Sequence, residues 1–295
     1  MRLVHLSDPH LSDLDGYSGW HLRGKRRLGY LSWMRRRRHH HRREVLEQLC
    51  TQVRQEQADV IAVTGDLVQL GLPDEIAQAR DWLNSLGPAP IALVPGNHDL
   101  YRDDAVDCVL ASWSEHLHLG EAARAAFPSR FDCGALTIIG LCSAYSAPFW
   151  SAAGRLGAAQ LARLDDILAA TAGRMRCLLV HHPPLPGQCA TRKALEDAAE
   201  LARVLERHGV ELVLHGHIHR NIAVRHAVRT HVLATASASN ADASRRASYR
   251  VLDITEQPDR WLLDARLMTL DSDGGGAECR DRLRCEFAHR FATSE

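Results

Sequence analysis

Short runs of consecutive apolar residues alternate along most of the chain with longer segments whose apolar positions recur every three or four residues. The runs fall at residues 3–6 (Leu-Val-His-Leu), 60–63 (Val-Ile-Ala-Val), 91–94, 136–141, 177–180 and 212–214. They are too short for helices and carry no polar alternation, so they predict strands covered on both faces. Helical spacing covers residues 43–57, 74–86, 158–170 and 193–208. Strand, loop and helix in alternation predict an α/β layered domain. From Thr230 onward strand-like runs at 232–235, 249–254 and 261–268 follow one another without helices, which predicts an antiparallel edge or a second sheet. The stretch around Gly274, Gly275 and Gly276 predicts a loosely ordered tail. The expected organisation is one domain over residues 1–270 and a C-terminal tail over 271–295, with no internal repeat.

The chain has 295 residues, 45% of them hydrophobic and 24% charged, enough for a large core and too many apolar positions for a disordered segment. Its eight cysteines contain no Cys-x-x-Cys pair, and several lie inside apolar runs, which predicts reduced, packed thiols. The first apolar run is too short for a signal peptide and no run reaches the length of a membrane span, so a cytoplasmic protein is expected. Formal net charge is zero, yet residues 16–43 carry ten Lys and Arg and no acidic residue, leaving 26 basic against 36 acidic residues elsewhere. That insert is a local device and needs its own explanation.

In open α/β sheets ligands bind beyond the carboxyl ends of the strands. There the chain offers Asp8 and His10 after the first run, Asp66 after the second, and Asn97, His98 and Asp99 after the third. His181 and His182 follow the fifth run, and His217 and His219 the sixth. Carboxylate, amide and imidazole donors suit Mn, Fe, Zn or Co. Asp8, His10, Asp66, Asn97, His181, His217 and His219 are more donors than one ion uses; they fit two ions about 3.5–4 Å apart that share one carboxylate, with His98 left for acid chemistry. Single histidines beside apolar runs, such as His5 and His215, are expected to be structural. His39, His40 and His41, embedded in arginines, are expected on a solvated basic face.

The order Asp8-x-His10, Gly65-Asp66, Gly96-Asn97-His98-Asp99, His181-His182-Pro183 and Gly216-His217-x-His219 resembles the calcineurin-like metallophosphoesterase superfamily across residues 3 to about 222. The resemblance implies a four-layer α/β/β/α sandwich, two central mixed β-sheets flanked by helices. It also puts Asp8, His10 and His219 on one metal, Asn97, His181 and His217 on the other, and Asp66 between them. His181 rather than His182 is implied as the ligand, because the family's ligand stands two positions before the proline. His98 is then the general acid, with Asp99 orienting its ring, and Tyr101 and Arg102 are candidate substrate contacts. The implied chemistry is hydrolysis of a phosphate ester or anhydride.

The insert suggests where that chemistry acts. Leu28, Tyr30, Leu31, Trp33 and Met34 flanked by Arg and Lys are what an element at an anionic bilayer surface needs. A loop paired with the protein's own acidic surface is the plainer reading, and nucleic acid a weaker one. The insert therefore predicts a phosphodiesterase or pyrophosphatase acting near a membrane, possessing residues 24–43 as the lipid contact and taking a lipid-linked nucleotide such as a UDP-diacylglucosamine. The pyrophosphatases of this superfamily carry Arg where this chain has His98, whereas Gly-Asn-His-Asp is shared with cyclic-nucleotide phosphodiesterases, the alternative activity. A scaffold role without catalysis is the alternative of a different class; every ligand position being filled argues against it.

Overall fold

The computed structural model describes all residues except 12, 13, 15, 18, 121–126, 272–274 and 290–295. Its strands are β1 (Arg2–Leu6), β2 (Val60–Val63), β3 (Ile91–Leu93), β4 (Ser129–Cys133), β5 (Leu136–Leu141), β6 (Met175–Val180), β7 (Leu212–His215), β8 (Ile222–His226), β9 (Thr230–Ala234), β10 (Ser248–Glu256), β11 (Arg260–Leu270) and β12 (Ala277–Ala288). Its helices are α1 (Gly24–Ser32), α2 (Arg38–His40), α3 (Arg43–Gln55), α4 (Pro73–Ser85), α5 (Val106–Ser112), α6 (Ser114–Leu117), α7 (Ala158–Ala170) and α8 (Ala198–His208).

Two six-stranded mixed sheets, ordered β12-β11-β10-β1-β2-β3 and β4-β5-β6-β7-β9-β8, face each other. The period-two alternation of strand side chains explains why the runs look uniformly apolar. In β1, Val4 and Leu6 pack outward under Leu46 and Leu49 of α3 and Ile76 of α4, while Leu3 points inward to Leu212 and Leu214 of the opposite sheet. On the other side Leu178 and Val180 of β6 meet Leu164 and Leu168 of α7 and Leu201 and Leu205 of α8. The result is the expected four-layer α/β/β/α sandwich. None of the eight cysteines forms a disulfide.

Three segments differ from the sequence-based expectation. Residues 277–288 of the expected tail form β12, paired along β11 from Arg260↔Ala288 to Leu270↔Ala277. Ala277, Cys279, Leu283, Cys285 and Phe287 alternate with charged residues, Asp281 interrupts the series where the register shifts, and Phe287 reaches the core between the sheets, so an edge strand of this kind reads as polar chain. Gly274 and residues 290–295 lie outside the described residues. The helix expected from residue 193 starts at Ala198, because the preceding segment is tied elsewhere: Gly154 N–H donates to Ala194 O (3.0 Å) and Glu196 N–H to Gly154 O (2.8 Å). Asp197 accepts from Gly157 N–H (2.7 Å) at the start of α7. The late strands do not form one unit: β8 and β9 complete the second sheet, whereas β10, β11 and β12 extend the first.

The basic insert is folded against the domain. Tyr30 and Trp33 are buried with Leu14, Leu22, Leu70, Leu72 and Tyr101, and Gly29 lies so close to Tyr101 and Leu70 that a Cβ there would overlap them. Arg26 clamps α1 down, donating to both oxygens of Asp104 (2.8 Å each) and to Gly71 O (2.7 Å). Of the apolar residues expected at a lipid surface, only Leu28 is half exposed, at 49%. No helix among the described residues is long and apolar enough to cross a membrane.

Candidate metal centre

The five loops that leave β1, β2, β3, β6 and β7 at their carboxyl ends converge on one edge of the sandwich. They interlock through their backbones: Asp8 N–H donates to Gly65 O (3.0 Å), His10 N–H to Asp66 O (3.1 Å) and Gly216 N–H to His181 O (3.1 Å). Gly65, at φ +82°, touches the Gly96 backbone, and neither glycine has room for a Cβ. Five donors hold left-handed backbone conformations that non-glycine residues rarely adopt: Asp8, His10, Asp66, His217 and His219, with φ between 46° and 69°. Strain gathered on these residues marks a functional site.

The donor atoms point at one another. One group is Asp8, His10, Asp66 and His219, the other Asp66, His181 and His217; within each group the potential ligand atoms lie within 4.8 Å of one another. His10 Nε2 is 3.3 Å from His219 Nε2, and His219 Nε2 is 3.3 Å from Asp8 Oδ1. Asn97 Oδ1 and His217 Nδ1 each stand 3.2 Å from His181 Nε2. Asp66 belongs to both groups: Oδ1 accepts from His98 N–H (2.7 Å), and Oδ2 lies 3.3 Å from His181 Nε2 and 4.0 Å from His10 Nε2. The structure thus brings together all seven predicted ligands.

These groups fit divalent ions. His10 and His181 donate Nδ1–H to the carbonyls of Val68 (3.3 Å) and Thr64 (2.7 Å), so each ring turns Nε2 into the cluster, as in metal-ligating histidines. His217 turns Nδ1 toward the same cluster, 3.2 Å from His181 Nε2. The electrostatics favour a cation. Burial pulls His181 down, but Asp66 and Asp8 outweigh it and raise its pKa to about 9. Burial likewise pushes the Asp66 carboxyl up, but the imidazoles of His181, His98 and His10 hold it well below the usual carboxylate range. His182 is no ligand candidate: Ser143 Oγ (2.8 Å) and Ala152 O (3.2 Å) engage its two nitrogens.

Beside the cluster, His98 Nδ1 donates to Gln69 O (2.6 Å), which leaves Nε2 with the lone pair. This corrects the role expected of Asp99. Its carboxylate accepts four backbone N–H bonds, from Asp66 (2.8 Å), Leu67 (2.8 Å), Val68 (3.1 Å) and Gly96 (2.7 Å), and so shapes the Asp66 loop rather than orienting His98. Tyr101 stacks on His98 with ring centroids 5.6 Å apart and lines the same cavity as the ligand residues. Arg102 pairs with Asp104 (3.5 Å) and lines a neighbouring groove instead of the metal cavity.

The sequence reading missed residues from distant segments that line the same cavity of about 590 Å³: Arg37 and His41 from the insert, Lys193, and Phe149 with Trp150. Arg37 Nη1 lies 3.2 Å from His98 Nδ1 and has no carboxylate partner among the described residues. Phe149 and Trp150 are 64% and 67% exposed and meet edge to face at 4.7 Å. No motif spacing links these residues to the ligands; the unexplained basic insert hinted at Arg37 and His41, and no signal pointed to Lys193, Phe149 or Trp150.

Comparison with known proteins agrees with this geometry. The family model for calcineurin-like phosphoesterases matches residues 1–221. A 3',5'-cyclic-nucleotide phosphodiesterase of Nostoc is 34% identical over 56% of this chain and 57% of its own length. The 3',5'-cyclic adenosine monophosphate phosphodiesterase of Escherichia coli K12 is 27% identical over 75% of this chain and 70% of its own. A cAMP/cGMP dual specificity phosphodiesterase of Mycobacterium tuberculosis is 30% identical over 74% and 61%. The chain thus spans about three fifths to seven tenths of these relatives. Among solved structures, a dimetal phosphatase from Danio rerio superposes with a TM-score of 0.65 at 15% identity, covering 96% of this chain and 98% of that one, a likeness of fold.

Proposed function

The chain belongs to the calcineurin-like phosphoesterase family, and on that premise we propose that it is a two-metal phosphodiesterase that hydrolyses 3',5'-cyclic nucleotides. The observation that carries the phosphoesterase reading is the pair of donor groups sharing Asp66, with His98 and Arg37 beside them. The named activities of three relatives, from Nostoc, Escherichia coli and Mycobacterium tuberculosis, support the cyclic nucleotide as substrate.

Asp8, His10, Asp66 and His219 would hold one divalent ion, and Asp66, Asn97, His181 and His217 the other. Mn, Fe, Zn and Co all suit these donors. Two such ions, when bound, supply positive charge to the phosphoryl oxygens and bring the pKa of water near neutrality. Arg37 adds a guanidinium with no carboxylate of its own, free to donate to a phosphate oxygen. Lys193 lines the same cavity and has its pKa lowered, by burial first and by neighbouring Arg192 and Arg37. His98 Nε2 faces the site with a lone pair; it would act as general acid toward the departing ribose oxygen only after taking up a proton there. Burial and Arg37 lower its pKa to about 4, and the charge of a bound phosphate acts in the opposite direction. Phe149 and Trp150 at the rim offer faces on which a base can stack.

One observation favours an amphiphilic phosphoester as a second reading. A groove of about 810 Å³ lined by Leu28, Leu31, Pro148 and Phe149 adjoins the metal cavity and would take an acyl chain. The buried rings of Tyr30 and Trp33 weigh against a membrane-facing insert. Manganese-loaded protein, wild type and His98→Ala, assayed on cyclic AMP, cyclic GMP, a UDP-diacylglucosamine and p-nitrophenyl phosphate separates the readings. The expected result is ring opening of cyclic nucleotides to nucleoside monophosphate, with a loss on the order of 10²–10⁴-fold in His98→Ala. Preference for the lipid nucleotide would overturn the cyclic-nucleotide reading, and no metal-dependent turnover of any substrate would favour a scaffold.

A further inference from the structure

Three histidines in a row close the basic insert, and the last is unlike the other two. His39 and His40 are exposed, whereas His41 is turned into the metal edge. Its ring centroid lies 4.4 Å from that of His10 and 5.3 Å from that of His219, close to the 5.2 Å between His10 and His219 themselves. One ring nitrogen of each of His10, His41 and His219 lies within 4.8 Å of the others. We infer that His41 is an additional ligand to the ion held by Asp8, His10, Asp66 and His219, a donor that the strand-end motifs do not include; this rests on the two-metal reading above.

The hydrogen bonding of the ring supports the inference. The hydroxyl hydrogen of Ser237 goes to the backbone carbonyl of Asp8, at 2.6 Å. His41 Nδ1 stands 2.9 Å from Ser239 Oγ and 3.2 Å from Ser237 Oγ. The two serines thus engage Nδ1, which leaves Nε2 as the ring nitrogen open to an ion, just as carbonyls engage Nδ1 of His10 and His181. The relay ends on the carbonyl of Asp8, itself a ligand, so the added donor and the original ones share one support.

The backbone fixes the position from both sides. Arg42 N–H donates to Ser239 O (2.9 Å) and Ala241 N–H to His40 O (2.8 Å), pairing His41 with Asn240 as a short antiparallel bridge. Upstream, buried Trp33 anchors the turn that carries Arg37, and His41 N–H donates to Arg37 O (2.9 Å). The insert consequently delivers Arg37 to His98 and His41 to one ion. A fifth protein donor suits an ion that takes five or six ligands better than tetrahedral zinc.

Equilibrium dialysis of the intact, folded chain against Mn2+, with metal content measured and bound Mn2+ followed by pulsed electron paramagnetic resonance, tests this. Wild type should bind two ions. His41→Phe, which keeps a ring in the packing, and His41→Ala should weaken one ion at least tenfold, leave the other unchanged and remove one imidazole nitrogen from the spectrum of that ion. Ser237→Ala should weaken the same ion less, and His39→Ala neither. Two ions bound with unchanged affinity and nitrogen count in both His41 variants would overturn the inference and leave the two-metal reading intact, even if the KM for substrate rose. Failure of the wild type to bind Mn2+, Fe2+, Zn2+ or Co2+ stoichiometrically in the same dialysis would overturn both.

Discussion

Asp99 shows how far a residue's role depends on what surrounds it. Beside His98 in sequence, it makes no hydrogen bond to that ring among the described residues and gathers four backbone N–H groups from the loops of Asp66 and Gly96. Burial and the charge of Asp66 push its carboxyl up to about 7, against the pull of those donors. Asp99→Asn turns an amide NH2 toward N–H groups that need an acceptor, at about 1–3 kcal/mol for each stranded donor. The variant should therefore melt several degrees lower than wild type and bind Mn2+ more weakly, which calorimetry and dialysis would record. A carboxylate that only oriented His98 would instead lower turnover and leave the melting temperature in place. The clustering of the seven predicted ligand residues was legible because each stands a few residues after an apolar run, at the strand ends that open on the crevice. The inward turn of His41 was not, because nothing in a run of arginines and histidines marks which ring turns inward.

At the scale of elements, the insert is the part that sequence pattern misjudged. Leu28, Tyr30, Leu31, Trp33 and Met34 among cations read first as a membrane surface, with a loop paired to the protein's own acidic surface as the alternative. Docking prevails because Leu14, Leu22, Leu70, Leu72 and Tyr101 supply a small apolar cluster for Tyr30 and Trp33. Trp33→Ala should consequently destabilise the protein by roughly 3–5 kcal/mol, the usual range for removing a large buried aromatic side chain. Chemical denaturation would measure that loss, and liposome co-sedimentation should show no change between variant and wild type. A stable variant with reduced liposome binding would return the insert to the lipid surface. The helices α3, α4 and α7 were legible within about two residues because their apolar stripes face a sheet; the start of α8 was not, since its lost first turn is tied to residues 152–154, some forty positions away.

For the whole molecule, the two sheets stack so that five strand ends, drawn from residues 6 to 215, open on one edge, and the sandwich holds that edge rigid. β12 closes the far side of the first sheet, and its Phe287 packs with Trp261 and Leu263 between the sheets. Removing residues 271–295 should therefore uncover this part of the core, at a cost of about 1.5–3 kcal/mol for Phe287 alone, lower the melting temperature and promote aggregation through the exposed edge of β11. Scattering during a thermal ramp would report it, whereas a dispensable tail would leave the curve unchanged. The sequence by itself determined the layered α/β architecture and which Asp, Asn and His residues gather at one edge, because strand period and strand-end chemistry are local and repeat. Tertiary structure alone decided which distant segments complete the site: Arg37, His41 and Lys193 reach the cavity, and Asp99 leaves it, through packing between residues far apart in the chain, which no local pattern records.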